Sequence, residues 1–322
     1  MKKLLLFVGV ALFATGSLAG AQEVRSELAD YIPDISLDMR GSYRIDSEYK
    51  SGRFTGDDLY LDINGYISPN FSYSFNHRIA STYYGKESGF DATNWLTLTY
   101  ETDNFAITAG KDALLMGSFE YDAYDLDAYF EMNSPFYNAF DCWQWGASAA
   151  WYPAEDHELI FQVAKSPVAA ESMEQVSLAL AWRGAWDWYE SYWTANMWQY
   201  DTKAFTKAFN SGNRFTFGGL VIDLDLSARV GDTYLSGAAA ILAPSYQIGE
   251  WGRAFTKIGI DRDNTFFGCG FEYFPLKDNK DIRFHIAYTH NDYTIGDMVS
   301  LGLTWKMNLT GNIKKLFGAT ED

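Results

Sequence analysis

Residues 299–309 read "VSLGLTWKMNL" and alternate apolar with small or polar side chains along their whole length. The apolar series is Val299, Leu301, Leu303, Trp305, Met307 and Leu309, and the residues between them are Ser300, Gly302, Thr304, Lys306 and Asn308. A period of two residues is that of a β-strand with one apolar face. The same alternation occurs in "DDLYLDINGYIS" (57–68) and "PNFSYSFNHRIAS" (69–81). The sequence therefore predicts two-faced strands at both ends of the chain.

About fifteen segments with this pattern lie between residues 34 and 310, separated by turn signals such as Ser68-Pro69-Asn70. A soluble sandwich usually alternates over shorter strands. Here the segments run about nine to twelve residues, the length a tilted strand needs to cross a bilayer. Aromatic residues cluster at their ends, and charges lie on the polar faces. We therefore predict an all-β fold, a transmembrane antiparallel β-barrel. An even strand count gives 16 strands, with 14 as the alternative.

The N-terminus has the pattern of a secretory signal. Lys2 and Lys3 precede the apolar run 4–13, and small residues end at Ala21. We expect cleavage before Gln22, a periplasmic segment over 22–33, the barrel over 34–310 and a C-terminal tail over 311–322. The alternative, a short membrane anchor, is disfavoured because the run is too short to span a bilayer as a helix.

The composition excludes several classes of function. The chain has 42 acidic and 25 basic residues, a net charge of −17, which argues against a nucleic-acid partner. Four histidines and no phosphate-cradling glycine loop give no basis for an enzyme or a cofactor; His77 has Ser81 nearby but no third orienting group. The two cysteines, Cys142 and Cys269, form either one disulfide or none.

The connections between strands differ in length. Tight turns at 102–104 and 153–157 are expected at the periplasmic end, and longer connections near 83–93, 114–140, 166–174 and 201–213 at the outer end. Residues 117–138, "GSFEYDAYDLDAYFEMNSPFYN", stand out because they contain five acids, seven aromatics and no Lys or Arg.

We predict that this stretch folds into the barrel as a constriction loop, because an open lumen of this size would not filter solutes. Its acids would give the constriction a negative field: Glu120, Asp122, Asp125, Asp127 and Glu131. An exposed outer loop is one alternative. A calcium site is another, although the spacing lacks the Asp-x-Asp-x-Asp-Gly pattern.

Basic residues at lumen-facing positions form a second predicted group. Closing the barrel brings the first strands beside the last, so one wall is expected to hold Arg40, Arg44, Arg78, Arg283 and Lys306. An arginine wall opposite an acidic loop would set up a transverse field across the pore. Local ion pairing along the strands, without a filter role, is the alternative.

Four blocks resemble a known family: "GDDLYLDINGYISPNFSYSFNHRI" (56–79), "AITAGKDALLMGSFEYDAYDLDAYFEMNS" (106–134), "FEYFPLKDNKDIRFHIAYTH" (271–290) and "LGLTWKMNL" (301–309). They resemble the outer-membrane porins of Bacteroidota, in the group that contains the phosphate-selective porins O and P. The resemblance implies 16 strands, a homotrimer and a constriction loop after an early strand. Phosphate selectivity is not expected, because the loop is acidic and no dense Lys/Arg ladder is present.

The expected function is that of a porin in the outer membrane of a Gram-negative bacterium. It would contact outer-membrane lipid and let small hydrophilic solutes or ions diffuse through a water-filled barrel. The net negative charge favours cations slightly. The alternative is a non-conducting barrel that acts as a surface or scaffold binding protein.

Overall fold

The computed structural model describes residues 31–47, 52–81, 90–168, 175–231, 233–293 and 296–311. The predicted signal peptide, most of the N-terminal segment, most of the C-terminal tail and parts of the connections at 83–93 and 166–174 lie outside the described residues. No helix within these ranges is long and apolar enough to cross a membrane.

Sixteen strands make up the fold. They are β1 (Asp34–Asp46), β2 (Arg53–Ser68), β3 (Phe71–Ser81), β4 (Thr93–Glu101), β5 (Phe105–Ala113), β6 (Trp143–Ala154), β7 (His157–Lys165), β8 (Val176–Ala185), β9 (Tyr189–Asp201), β10 (Ala204–Phe217), β11 (Leu220–Val230), β12 (Gly237–Ile248), β13 (Gly252–Asp261), β14 (Asn264–Tyr273), β15 (Ile282–Asn291) and β16 (Gly296–Asn308). Each strand pairs antiparallel with its neighbours in sequence, and β1 pairs with β16, which closes the barrel. The predicted all-β barrel of 16 strands is confirmed.

The side chains of β16 alternate between the outer and inner faces as the sequence predicts. Val299, Leu301 and Trp305 point outward and are exposed, whereas Ser300 and Thr304 point inward and are buried. An apolar outer face and a polar inner face are what a barrel in lipid requires. The predicted turn at 102–104 is also present, between β4 and β5.

One predicted connection is wrong. Residues 201–213 are not a long outer loop, because β10 begins at Ala204 after a turn of Thr202 and Lys203. The alternation fails here because both faces carry polar groups. Asn213 faces outward, where its Oδ1 accepts hydrogen bonds from Tyr189 Oη at 2.8 Å and Trp193 Nε1 at 3.2 Å. These hydrogen bonds offset the cost of placing the polar Asn213 side chain on the apolar outer face.

The ends of the barrel differ. Asp34 pairs with Asn64 and Ser36 with Asn308, so both ends of the barrel chain lie with the tight turns after β2, β4 and β6. The 29-residue stretch from 114 to 142, between β5 and β6, leaves from the opposite end. It is called segment 114–142 below. It contains the five predicted acidic site residues, whereas the five predicted basic ones lie on the barrel strands.

Candidate functional site: segment 114–142 and the inner wall

Segment 114–142 folds into short turns of helix. A four-residue helix, α1 (Phe119–Asp122), is followed by single 3-10 turns at Asp125–Asp127, Phe130–Met132 and Tyr137–Ala139. Ser118 caps α1, since its Oγ accepts a hydrogen bond from the Glu120 amide at 3.1 Å. Helices this short are not stable alone, so the conformation depends on contacts with the barrel.

The first set of contacts joins α1 to β8, β10 and β11. Asp225 of β11 accepts hydrogen bonds from the amides of Phe119 (3.0 Å) and Glu120 (2.9 Å) and from Ser118 Oγ (2.8 Å). A carboxylate at this position satisfies free amides at the start of the helix. Arg183 of β8 forms a two-pronged ion pair with Asp122, at 2.7 Å and 3.2 Å. The wall therefore completes the helix cap that the segment's own sequence only begins.

The second set joins residues 126–131 to β1, β15 and β16. Arg40 is 2% exposed, and its Nη1 donates to the carbonyl oxygens of Leu126 at 2.9 Å and Ala128 at 2.7 Å. Asp127 is bound by Arg283 and by Lys306, whose Nζ lies 2.8 Å from its Oδ2. Burial acts to raise the pKa of Asp127, but these two cations outweigh it and the pKa is lowered.

Glu131 makes the third acidic contact with this wall. Its Oε1 lies 2.7 Å from Arg44 Nη1, and Arg44 Nη2 lies 2.8 Å from Asp57 Oδ1. All three side chains are buried. A buried pair of this kind contributes to positioning rather than to large net stability, and removing one partner is costly.

Asp125 occupies the most enclosed position in the segment. It is 2% exposed and is hydrogen-bonded by Tyr60 Oη (3.3 Å), Tyr137 Oη (3.3 Å) and Asn94 Nδ2 (3.4 Å). Burial raises the pKa of Asp125 to about 6, although the nearby Arg78 favours the charged form. The carboxylate is thus held by hydroxyl and amide groups, and Arg78 itself donates to the Asp91 carbonyl at 3.0 Å.

The returning half of the segment packs back toward β9, β11 and β13. Glu120 accepts hydrogen bonds from the Ser134 amide (2.9 Å) and from Lys257 (3.3 Å), which ties the two halves together. The Phe136 amide donates to Asp261 at 2.8 Å, and the Phe136 ring lies 5.9 Å from the Trp198 ring, which is fully buried.

The predicted residues therefore come together in a different arrangement from the expected one. All five acids contact partners within the barrel, and four of the five form ion pairs with wall cations. The basic residues do cluster on β1, β3, β15 and β16, but Asp127 and Glu131 touch them directly. Asp127 and Glu131 therefore do not face this wall across open water but form direct ion pairs with it.

Sequence reasoning missed two buried acids. Asp57 and Asp58 are consecutive yet both are buried, at 1% and 3% exposure, and both bind Arg40. The register of β1 against β2 shifts between Arg40 and Gly41, and this β-bulge turns both side chains to the same face. Two adjacent acids inside an alternating strand were the available signal.

The other predicted sites have simple outcomes. Within the described ranges, no group of three or more His, Cys, Asp or Glu side chains is arranged to hold a metal ion. Cys142 and Cys269 are both free, so the disulfide left open by the sequence is not formed.

Comparison with known proteins identifies the fold. A mutant of the Rh. blastica porin aligns with a TM-score of 0.60 and 11% identity, covering 85% of this chain and 100% of that one. The outer membrane channel DcaP of Acinetobacter baumannii gives 0.65 and 12%, covering 85% and 97%. OmpT of Vibrio cholerae without its loop L8 gives 0.61 and 14%, covering 86% and 99%. No family model and no curated protein matches the chain. At these identities the similarity concerns the barrel fold alone.

Proposed function

We propose that this protein is an outer-membrane porin, through which small hydrophilic solutes and ions diffuse passively along a water-filled lumen. In this proposal segment 114–142 lies inside the barrel and narrows it. Glu120, Asp122, Asp125, Asp127 and Glu131 are its constriction residues, and Arg40, Arg44, Arg78, Arg283 and Lys306 form the basic wall that receives it.

One observation carries the proposal. Asp122 pairs with Arg183 on β8, and Asp127 pairs with Lys306 on β16. These strands are eight places apart in a ring of sixteen, so they lie on opposite sides of the barrel. Five residues extend at most about 17 Å. A chain that short in contact with side chains from both walls supports a path across the lumen.

The proposed mechanism contains no chemical step. Polar inner side chains keep the lumen wet, and the apolar outer face faces lipid. Ion pairs and buried hydrogen bonds hold segment 114–142 in one position, so the space beside it sets the size limit. The acids of segment 114–142 serve mainly to attach it to the barrel wall. A passing solute therefore experiences only the charge that these ion pairs leave unneutralised.

Liposome swelling tests the proposal. Refolded protein in liposomes should admit small neutral sugars and exclude larger oligosaccharides. A variant with residues 118–138 replaced by a short Gly-Ser linker should admit larger ones, because the barrel stays closed by β1 and β16 while the lumen widens. Liposomes that remain impermeable to all sugars with both proteins would refute the pore and support a scaffold.

Location and assembly are part of the same proposal. The resemblance seen in the sequence implies an outer-membrane homotrimer, and the N-terminal signal pattern implies export. Native mass spectrometry of the detergent-extracted protein should give three copies. N-terminal sequencing of that material should begin at Gln22.

A further inference from the structure

Solvent exposure is unevenly distributed around the inner wall. In β6 the inward-facing residues are Gln144, Gly146, Ser148, Ala150 and Tyr152, and all five remain partly exposed from one end of the strand to the other. In β5, Thr108, Gly110 and Asp112 are partly exposed as well. Ala106, the first inward position of β5, is buried. Water therefore has access to a continuous line of inward positions along β6 and to the three later inward positions of β5.

Other parts of the inner wall are sealed. Inward-facing residues of β15, from Arg283 to Asn291, are between 1% and 8% exposed, and those of β9 from Tyr192 to Trp198 are between 0% and 3%. Asn291 donates to the carbonyl oxygens of Glu131 (3.4 Å) and Asn133 (3.3 Å), which shows that segment 114–142 covers β15. The segment grows out of β5 and β6 but attaches to strands farther around the barrel.

The chemistry of the uncovered wall is distinctive. Its inward-facing side chains on β4, β5 and β6 include Glu101 and Asp112 but no Lys or Arg. Lys111 lies in register with Leu96 and Trp145, which are both exposed on the outer face, and its Nζ donates to the Phe90 carbonyl. Glu158 of the next strand is also inward-facing and partly exposed, but it lies in register with Arg183 of β8, which offsets its charge.

We infer that solutes cross this barrel off-centre, along the inner wall of β5 and β6, and that this route favours small cations over anions. The inference rests on the proposed function. The loop acids contribute little to selectivity because most of their charges are paired. Asp112 and Glu101, in contrast, face the route without a basic residue among the inward side chains of β4–β6. Hydroxyl and amide groups such as those of Thr108, Ser148 and Gln144 replace part of the hydration of a passing ion.

Matched cysteine variants test the route. In a background with Cys142→Ala and Cys269→Ala, Ser148→Cys places a thiol on the route, and Ser300→Cys places one at a sealed inward position that is 3% exposed. A water-soluble maleimide should label the Ser148→Cys protein at least tenfold faster than the Ser300→Cys protein. Modification of the Ser148→Cys protein with a cationic methanethiosulfonate should lower single-channel conductance at least twofold and reduce cation preference.

The possible outcomes separate the two proposals. Equal labelling rates at the two positions, or faster labelling at Ser300→Cys, overturn the route, and the labelling result does not depend on conductance. An Asp112→Asn and Glu101→Gln double variant with an unchanged reversal potential overturns the cation preference. A parent protein that is silent in the bilayer refutes the porin function itself.

Discussion

Arg40 is one of the buried residues that attach segment 114–142 to the barrel. Its guanidinium donates to two backbone carbonyl oxygens of the segment, at 2.9 Å and 2.7 Å, and its Nη2 lies 2.9 Å from Asp58. Arg40→Leu keeps most of the side chain's apolar volume and removes both donors. Hydrogen bonds to charged groups contribute about 1.5–3 kcal/mol each, so the segment should lose about 3 kcal/mol or more.

Hydrogen exchange measured by mass spectrometry reports this loss directly. If exchange occurs through opening of the segment, a loss of about 3 kcal/mol raises the open population by about 100-fold. We therefore expect amides of residues 126–132 to exchange about 100-fold faster in Arg40→Leu. The barrel amides of β9 and β10 should keep their rates, since Arg40 does not contact those strands.

Arg53→Leu is the matched control. Arg53 also pairs with an aspartate, Asp46, at 3.1 Å, but its side chain is 42% exposed and it lies at the first position of β2. Exposed pairs contribute about 1 kcal/mol or less, so exchange in the segment should change by less than about fivefold. An Arg40→Leu protein whose segment exchanges within that same fivefold limit would refute the attachment described here.

Three further predictions concern other contacts of the segment. Burial raises the pKa of Asp125 to about 6 from an ordinary 3.8, so the segment is held most firmly below pH 3.8 and its attachment weakens as the pH rises to 6. Hydrogen exchange of residues 123–128, corrected for intrinsic rates, should show that the free energy of opening changes by up to about 3 kcal/mol over this range and that Asp125→Asn abolishes the change. An equal pH dependence in both proteins would contradict this. Asp225→Ala removes the hydrogen bonds that the barrel wall supplies to the start of α1 and should cost about 1–2 kcal/mol. Asp122→Asn breaks a pair whose side chains are 35% and 39% exposed and should cost less than about 1 kcal/mol. Hydrogen exchange at residues 119–122 measures both changes, and equal effects would count against the role of Asp225 in capping. Trp198→Ala leaves a cavity at a fully buried site beside Phe136 and should lower the free energy of opening of residues 134–140 by about 3–5 kcal/mol. Unchanged hydrogen exchange in these residues would show that packing against Trp198 does not hold them in place.

The barrel was predictable because each strand has an apolar outer face and a polar or small-residue inner face, which gives a simple pattern. In β16 every outward position from Val299 to Trp305 is apolar and every inward one is polar or small, so the period of two identified it. β10 escaped prediction because Asn213 on its outer face is hydrogen-bonded by Tyr189 and Trp193, and that compensation depends on a neighbouring strand. A single segment does not reveal partners that lie elsewhere in the chain.

The site was predictable in composition but not in pairing. The acidic and aromatic content of 117–138 identified the segment. The two-residue alternation of each strand identified the inward-facing basic residues Arg40, Arg44, Arg283 and Lys306. Which acid contacts which cation depends on the path of segment 114–142 between the strands, and that path depends on all sixteen strands together. Asp57 could not be assigned from the alternation either, because the β-bulge beside it turns its side chain to the inner face, against the two-residue pattern.

Single-channel recording in planar bilayers, with a reversal potential across a salt gradient, tests the central claim most directly. A porin whose loop acids are paired and whose open wall is acidic should give stepwise openings with a mild preference for cations. Asp112→Asn with Glu101→Gln should reduce that preference. Folded barrels that insert but never conduct would contradict the porin function, and a clear anion preference would contradict the cation preference inferred for the route along β5 and β6.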